Sequence, residues 1–198
     1  MKNKPRCAWT NLKNELYIKY HDKEWGTPVH DDLKLFEMII LEGAQAGLSW
    51  EIVLKKRENY RNAFDNFNPK KVTKYNEKKI KELLQNEGII RNKLKIKSAI
   101  NNAKVFLKIQ KEFKSFAKYI WKFVNYKPKQ NKIKSLSELP VKTKLSDKIS
   151  IDLKKRGMSF IGSTIIYAFM QSIGMVNDHE VSCFRYYEIK KQNILKKY

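Results

Sequence analysis

Cysteine is scarce in this 198-residue chain: Cys7 and Cys183 are its only two. That is too few for the disulfide framework of a small secreted domain, and a chain of this length buries enough apolar surface to fold without one. Glycine and proline are also few, seven and five, and strand-like alternation is hard to find, which argues against a turn-rich β architecture. Acidic side chains number 20 against 42 basic ones, a net charge of +22, which excludes a surface that repels polyanions. Such a potential attracts phosphate and releases counterions. A chain full of Lys, Asn and Ile also carries this charge when the nucleotide composition of its genome is biased, so charge alone leaves nucleic-acid binding open. No basic start followed by an apolar stretch and a small-residue cleavage site is present, so a cytosolic protein in a reducing compartment is expected.

Long hydrophobic runs are equally rare. Residues 157–177 carry no charge, but Ser159, Ser163, Thr164, Gln171, Ser172, Gly162 and Gly174 interrupt them and no second such segment accompanies them. They are read as the central helix of a soluble core rather than a membrane span.

What is present is apolar spacing of three and four residues almost throughout, so an all-α fold is expected over a single domain, 1–198, with its core at about 7–183 and a Lys-rich tail at 184–198. Asp31 and Asp32 cap a helix bearing Leu35, Phe36, Ile39 and Ile40, which Gly43 is placed to end. Ser49 opens a second, with Trp50, Val53, Leu54, Tyr60 and Phe64 on one face. Asn68-Pro69 marks a start, and Asn76 precedes Ile80, Leu83 and Leu84. Gly88 separates that helix from one opened by Asn92 and carrying Ile96, Ala99, Ile100, Ala103, Phe106 and Leu107. A further helix is expected over 115–126, then a basic surface connection over 127–144.

Two features point to chemistry. His179 and Cys183 are four apart, so a helix would project both from one face, and Cys7 with His21 supplies a second Cys/His pair. Two thiolates and two imidazoles complete a closed structural zinc set; two buried thiols and two ordinary histidines are the plainer account. His30, beside Asp31 and Asp32, reads as a solvated loop residue. The second feature is Glu42, a carboxylate in the apolar window 39–50, costly to bury without a partner or a task. It also suits a helix end facing water. Trp9, Tyr17, Tyr20, Trp25 and Trp50 surround it in sequence, and each alone is explained by core packing. Together with a carboxylate they suit a pocket for a flat ring.

The segments Tyr20-His21-Asp22-Lys23-Glu24-Trp25-Gly26, 41–50, Gly88-Ile89-Ile90-Arg91 and Asn177-Asp178-His179-Glu180-Val181-Ser182-Cys183 carry a resemblance to the DNA-3-methyladenine glycosylase I family of bacterial base-excision repair. The match runs from about Cys7 to Cys183. It implies a helix-hairpin-helix glycosylase fold with Cys7, His21, His179 and Cys183 as ligands of a structural zinc tying the terminal segments together. It implies that Glu42, Tyr20 and Trp50 act on the base, with Tyr17, Trp9 and Trp25 binding or lining. An insertion between Trp9 and Tyr17 makes Trp9 the least secure of these. Gly47 and Leu48 match the loop that fills the gap left by a flipped nucleotide. Gly88, Ile89 and Arg91 match the hairpin that presents N–H groups to phosphates, to which Lys93, Lys95 and Lys97 add charge. The implied activity is monofunctional hydrolysis of the N-glycosidic bond of 3-methyladenine in double-stranded alkylated DNA, by a cytoplasmic monomer with no membrane and no obligate protein partner. The competing reading is a zinc-stapled, noncatalytic binder of damaged DNA.

Overall fold

The computed structural model describes residues 4–195. Its described residues are mostly helical. Helix α1 (Glu15–Lys23) begins where the Asn14 side chain accepts from the N–H groups of Leu16 and Tyr17. Helix α2 (Asp32–Gln45) is capped by Asp31 and continues two residues past Gly43. A single helix expected from Ser49 to Phe64 is instead two, α3 (Trp50–Lys55) and α4 (Arg57–Ala63), separated at Lys56. The break accompanies the burial of Arg57, which reaches Glu37 at 2.7 Å and Glu24 at 2.9 Å. Asparagine caps open α5 (Pro69–Val72), α6 (Glu77–Gln85) and α7 (Lys93–Phe113) through Asn68, Asn76 and Asn92. The side-chain oxygen of each supplies an acceptor that a first-turn N–H otherwise lacks.

Helix α8 (Phe116–Trp121) is shorter than the expected 115–126, because a 3-10 turn and left-handed Asn125 follow it. The connection after it is not featureless: β1 (Lys129–Gln130) pairs in parallel with β2 (Val176–Asn177). Helix α9 (Lys144–Lys155) starts at a reciprocal cap between Thr143 and Ser146. The uncharged stretch holds one helix, α10 (Ser163–Ser172), followed by β2, because residues before α10 form a turn with Phe160 at φ +55°, pinned by both ends of the Asn102 amide to Ser159. No helix among the described residues is long and apolar enough to cross a membrane. The described part of the Lys-rich tail is helical as well, α11 (Phe184–Leu195).

Helix α2 forms the centre, every residue from Leu35 to Ala44 being buried, with α10, α7, α3 and α8 packed around it. A helix enclosed on all sides has no solvent face, so its acidic residues Glu37 and Glu42 are carried inside.

Candidate active site

An open cavity of about 260 Å³ lies where α1, α2, α3 and α10 converge, lined by Trp9, Tyr17, Tyr20, Trp25, Glu42, Gln45, Trp50, Leu139, Ala168 and Gln171. All six residues expected to form a flat-ring pocket are here. The helical step of three places Tyr17 and Tyr20 on one face of α1, and Trp50 enters at the first turn of α3. The rings of Tyr20 and Trp50 lie 5.2 Å apart, and Trp9 meets Tyr17 at 5.6 Å and Trp25 at 4.8 Å, both edge-on. The segment between Trp9 and Tyr17 is fastened to α3 by Asn11 and Asn14, which donate to Glu51.

Polar atoms in this cavity are underused. Trp9 Nε1, Trp50 Nε1 and Glu42 Oε2 are all buried without a hydrogen-bond partner. Such atoms are rare in folded proteins because desolvation without a partner costs roughly 1–3 kcal/mol each. Burial pushes the Glu42 carboxyl up to about 8, against the opposing pull of the Ser172 hydroxyl and the Arg57 guanidinium. Burial also raises the Tyr20 phenol, and the nearby Glu42 adds to the effect.

Behind the pocket, Cys7, His21, His179 and Cys183 converge, all buried, with ligand atoms within 4.8 Å of one another. Cys7 Sγ is 3.3 Å from His179 Nδ1, and Cys183 Sγ is 3.5 Å from His21 Nε2 and 3.7 Å from His179 Nδ1. Ligands on a tetrahedral ion with bonds of about 2.0–2.3 Å stand roughly 3.3–3.8 Å apart, so these spacings suit one. The outer nitrogens are held too. His21 Nδ1 meets Asp22 at 2.8 Å, itself clamped by Arg6, and His179 Nε2 donates to the Trp25 carbonyl at 3.0 Å. Burial lowers the His179 imidazole, which favours the neutral form that binds metals. His179 and Cys183 do not share a helix as the four-residue spacing suggested. A tight turn, with Cys183 N–H donating to Glu180, brings them together before α11 begins. The rings of Trp9 and Trp25 abut this cluster, against His21 at 5.3 Å and His179 at 4.7 Å, so the two histidines back two rings of the pocket wall. His30 is exposed and stacks on Trp121 at 4.5 Å.

The loop between α2 and α3 joins pocket residues Gln45 and Trp50. Within it Gly47 takes φ +77°, where a side chain is strained, and Leu48 is 39% exposed. The hairpin between α6 and α7 differs from its expected form. The Ile89 side chain is 2% exposed and packs in the core. The N–H groups of Gly88 and Ile89 are both taken by Asn86, and that of Ile90 by the Tyr60 hydroxyl. Gly88 is needed for closeness, since a Cβ there would lie 2.9 Å from Asn59. What the hairpin leaves open is the start of α7, where the N–H groups of Arg91, Lys93 and Leu94 have no acceptor among the described residues. Arg91 and Lys93 are exposed there.

The profile of the methyladenine glycosylase family matches residues 9–186. The chain belongs to that family. It is 50% identical over 181 residues to the DNA-3-methyladenine glycosylase 1 of Escherichia coli strain K12, spanning 91% of this chain and 96% of that protein. A DNA-3-methyladenine glycosylase of Haemophilus influenzae is 51% identical over 178 residues, 90% of this chain and 96% of the relative. At this level of identity the methyladenine glycosylase described here is an enzyme of that kind. Its fold matches that of the 3-methyladenine DNA glycosylase I of Staphylococcus aureus, solved for the structural basis of 3-methyladenine recognition, with a TM-score of 0.87 at 34% identity and coverage of 90% and 95%. A related 3-methyladenine DNA glycosylase I, a tyrosine-to-phenylalanine variant in complex with 3-methyladenine, matches equally well, with a TM-score of 0.87, 34% identity and coverage of 90% and 96%. The noncatalytic reading is not favoured by these relatives.

Sequence reasoning passed over Gln45, Leu139, Ala168 and Gln171 of the pocket lining. Gln45 lay inside the Glu42 window and was open to detection. Leu139 and Gln171 reach the cavity from segments far away in sequence, and no local pattern marks them.

Proposed function

We propose that this glycosylase hydrolyses the N-glycosidic bond of 3-methyladenine in alkylated duplex DNA, releasing the free base and leaving an abasic site. The observation that carries this reading is the buried Glu42 carboxyl, one oxygen of which has no partner, inside a cage of aromatic rings. A 3-methylated adenine nucleotide is cationic, so its base leaves without prior protonation. Aromatic faces attract the flat cation, and its charge favours the ionised form of Glu42, whose free oxygen accepts from the exocyclic amine. As the bond between C1′ and N9 breaks, its electron pair neutralises the base. Water adds to C1′ and releases a proton to solvent, while the flanking phosphates favour the positive sugar. Of the described residues lining the cavity none is a lysine, consistent with hydrolysis without strand cleavage.

Phosphates would be taken by the open N–H groups at the start of α7 together with Arg91 and Lys93, and the gap left by the flipped nucleotide by Gly47 and Leu48. The Cys7, His21, His179 and Cys183 set fits a structural zinc, which would supply no substrate position because four protein ligands already complete it. The chain is taken to act as a single-domain cytoplasmic monomer. Purified protein should release 3-methyladenine from methylated duplex, with strand breaks only after mild alkali. Glu42→Gln keeps a carbonyl acceptor but loses the carboxylate's charge, so it should lower release about 10-fold and weaken duplex binding far less. Release with no dependence on Glu42 would overturn the assignment of the pocket.

A further inference from the structure

Among the basic residues of the hairpin region, Lys95 behaves unlike its neighbours. Arg91 and Lys93 face solvent, whereas Lys95 is half-buried and its ammonium donates to two backbone carbonyls, Ala44 O at 2.8 Å and Ala46 O at 2.7 Å. It is therefore spent within the protein, and the phosphate contact expected of it is not available. We propose that Lys95 is a positioning residue that holds the end of the pocket helix and the loop bearing Leu48 in register with the hairpin, an inference resting on the function proposed above.

The physical need is plain in α2. Its last carbonyls lack helical partners and carry the negative end of the helix dipole, yet its last turn contains no basic residue. The missing cation comes from α7, about fifty residues onward. The two carbonyls it grips flank Gln45, which lines the pocket, and Gly47 and Leu48 follow at once. Lys95 itself stands one turn from Asn92, whose side chain caps α7 by accepting from the Lys95 N–H. One side chain thus joins the element proposed to hold phosphate with the element proposed to fill the duplex. Without it the loop beyond Ala46, which contains the left-handed Gly47, would keep only the Leu48 N–H to Gln45 bond at 2.7 Å and a long one from Ala46 to Gly43 at 3.4 Å. Burial lowers the Lys95 amine as well.

The test compares wild type, Lys95→Met and Lys95→Arg in three measurements: excision from methylated duplex, binding of free 3-methyladenine by tryptophan fluorescence, and amide exchange at residues 46–48. Lys95→Met should lower single-turnover excision about 10- to 100-fold, since small misplacements at a reacting centre have effects of that size. It should change free-base affinity less than twofold and speed exchange at 46–48, and Lys95→Arg should restore most of the excision. Unchanged excision or unchanged exchange in Lys95→Met would overturn the proposal. So would a loss of excision and free-base binding in equal measure, which marks a merely structural role, or a loss of affinity for undamaged duplex with one unit of salt slope, which marks a phosphate contact. If wild type released no base, the proposed function itself would fail, and the exchange measurement would still report on the bracket.

Discussion

Helix α2 buries two glutamates five residues apart, and they have opposite surroundings. Glu37 meets Arg57 at 2.7 Å, Arg61 at 2.8 Å and Lys34 at 3.1 Å. Burial would raise its carboxyl, but these cations, Arg57 foremost, hold it below the usual carboxylate range. Glu42, one and a half turns on, has a buried oxygen with no partner, and burial pushes its carboxyl up to about 8. One site is complete within the protein and the other is left incomplete. A fold keeps an unsatisfied buried carboxyl only where the surroundings impose it, and here they are the aromatic rings of an open cavity.

The largest effect expected from disturbing this contrast is at Glu37. Glu37→Gln leaves Arg57 buried with only the partly exposed Glu24, and breaking such a pair costs about 3–5 kcal/mol. Thermal unfolding should record that loss, while excision per folded molecule stays near wild type. Equal damage to activity would show that the two glutamates are not separable. The proposed zinc set of Cys7, His21, His179 and Cys183 gives the next effect. Cys183→Ser, or chelation of the wild type, should remove that proposed zinc and cost about 3 kcal/mol, as loss of a ligand held at about a hundred times its dissociation constant does, lowering the melting temperature by roughly 6–12 °C for a chain of this size. Full stability with no bound zinc by elemental analysis would refute the staple.

A third contrast lies in pH dependence, and its sign differs between the two glutamates. A folded pKa below the unfolded one gives Glu37 a stabilising contribution present above about pH 4.5 and lost as pH falls through the folded value. For Glu42 the folded value of about 8 lies above the unfolded one. The unfolded chain therefore gives up its proton first, and stability declines as pH rises from about 4.5 to 8, by at most about 1.4 kcal/mol per pH unit. Glu42→Gln should abolish that alkaline decline in the ligand-free protein, whereas Glu37→Gln should flatten the acid limb. Denaturant titrations at pH 5, 6.5 and 8 would show it. Parallel curves for Glu42→Gln and wild type would mean that Glu42 is ionised in the empty pocket.

Much of this was open to reading in the residues themselves. Helix starts at Asp31, Asn68, Asn76 and Asn92 were legible because capping is local: a short polar side chain satisfies an N–H two or three residues on, whereas Ser49 precedes α3 without making such a bond. The pocket aromatics and the Cys/His set were legible through motif resemblance, and the structure brings each set together. Helix α9 escaped notice although its Thr143 and Ser146 cap is local too. The break at Lys56 was hidden because it depends on Arg57 finding acidic partners on α1 and α2. The uncharged stretch 157–177 was overread as one helix, since composition does not register Asn102 pinning the turn before α10.

The sequence by itself determined the helical class, the basic surface, most helix starts and the residue types of both sites, because these follow from spacing, capping and charge between near neighbours. Only the tertiary structure decided how those residues are used. It turned Lys95 from phosphate toward two carbonyls, buried Ile89, consumed the hairpin's own N–H groups and separated Glu37 from Glu42 in role. Each of these depends on which partner another segment brings within about 3 Å. That distance is set by packing of the whole chain, and no local pattern encodes it.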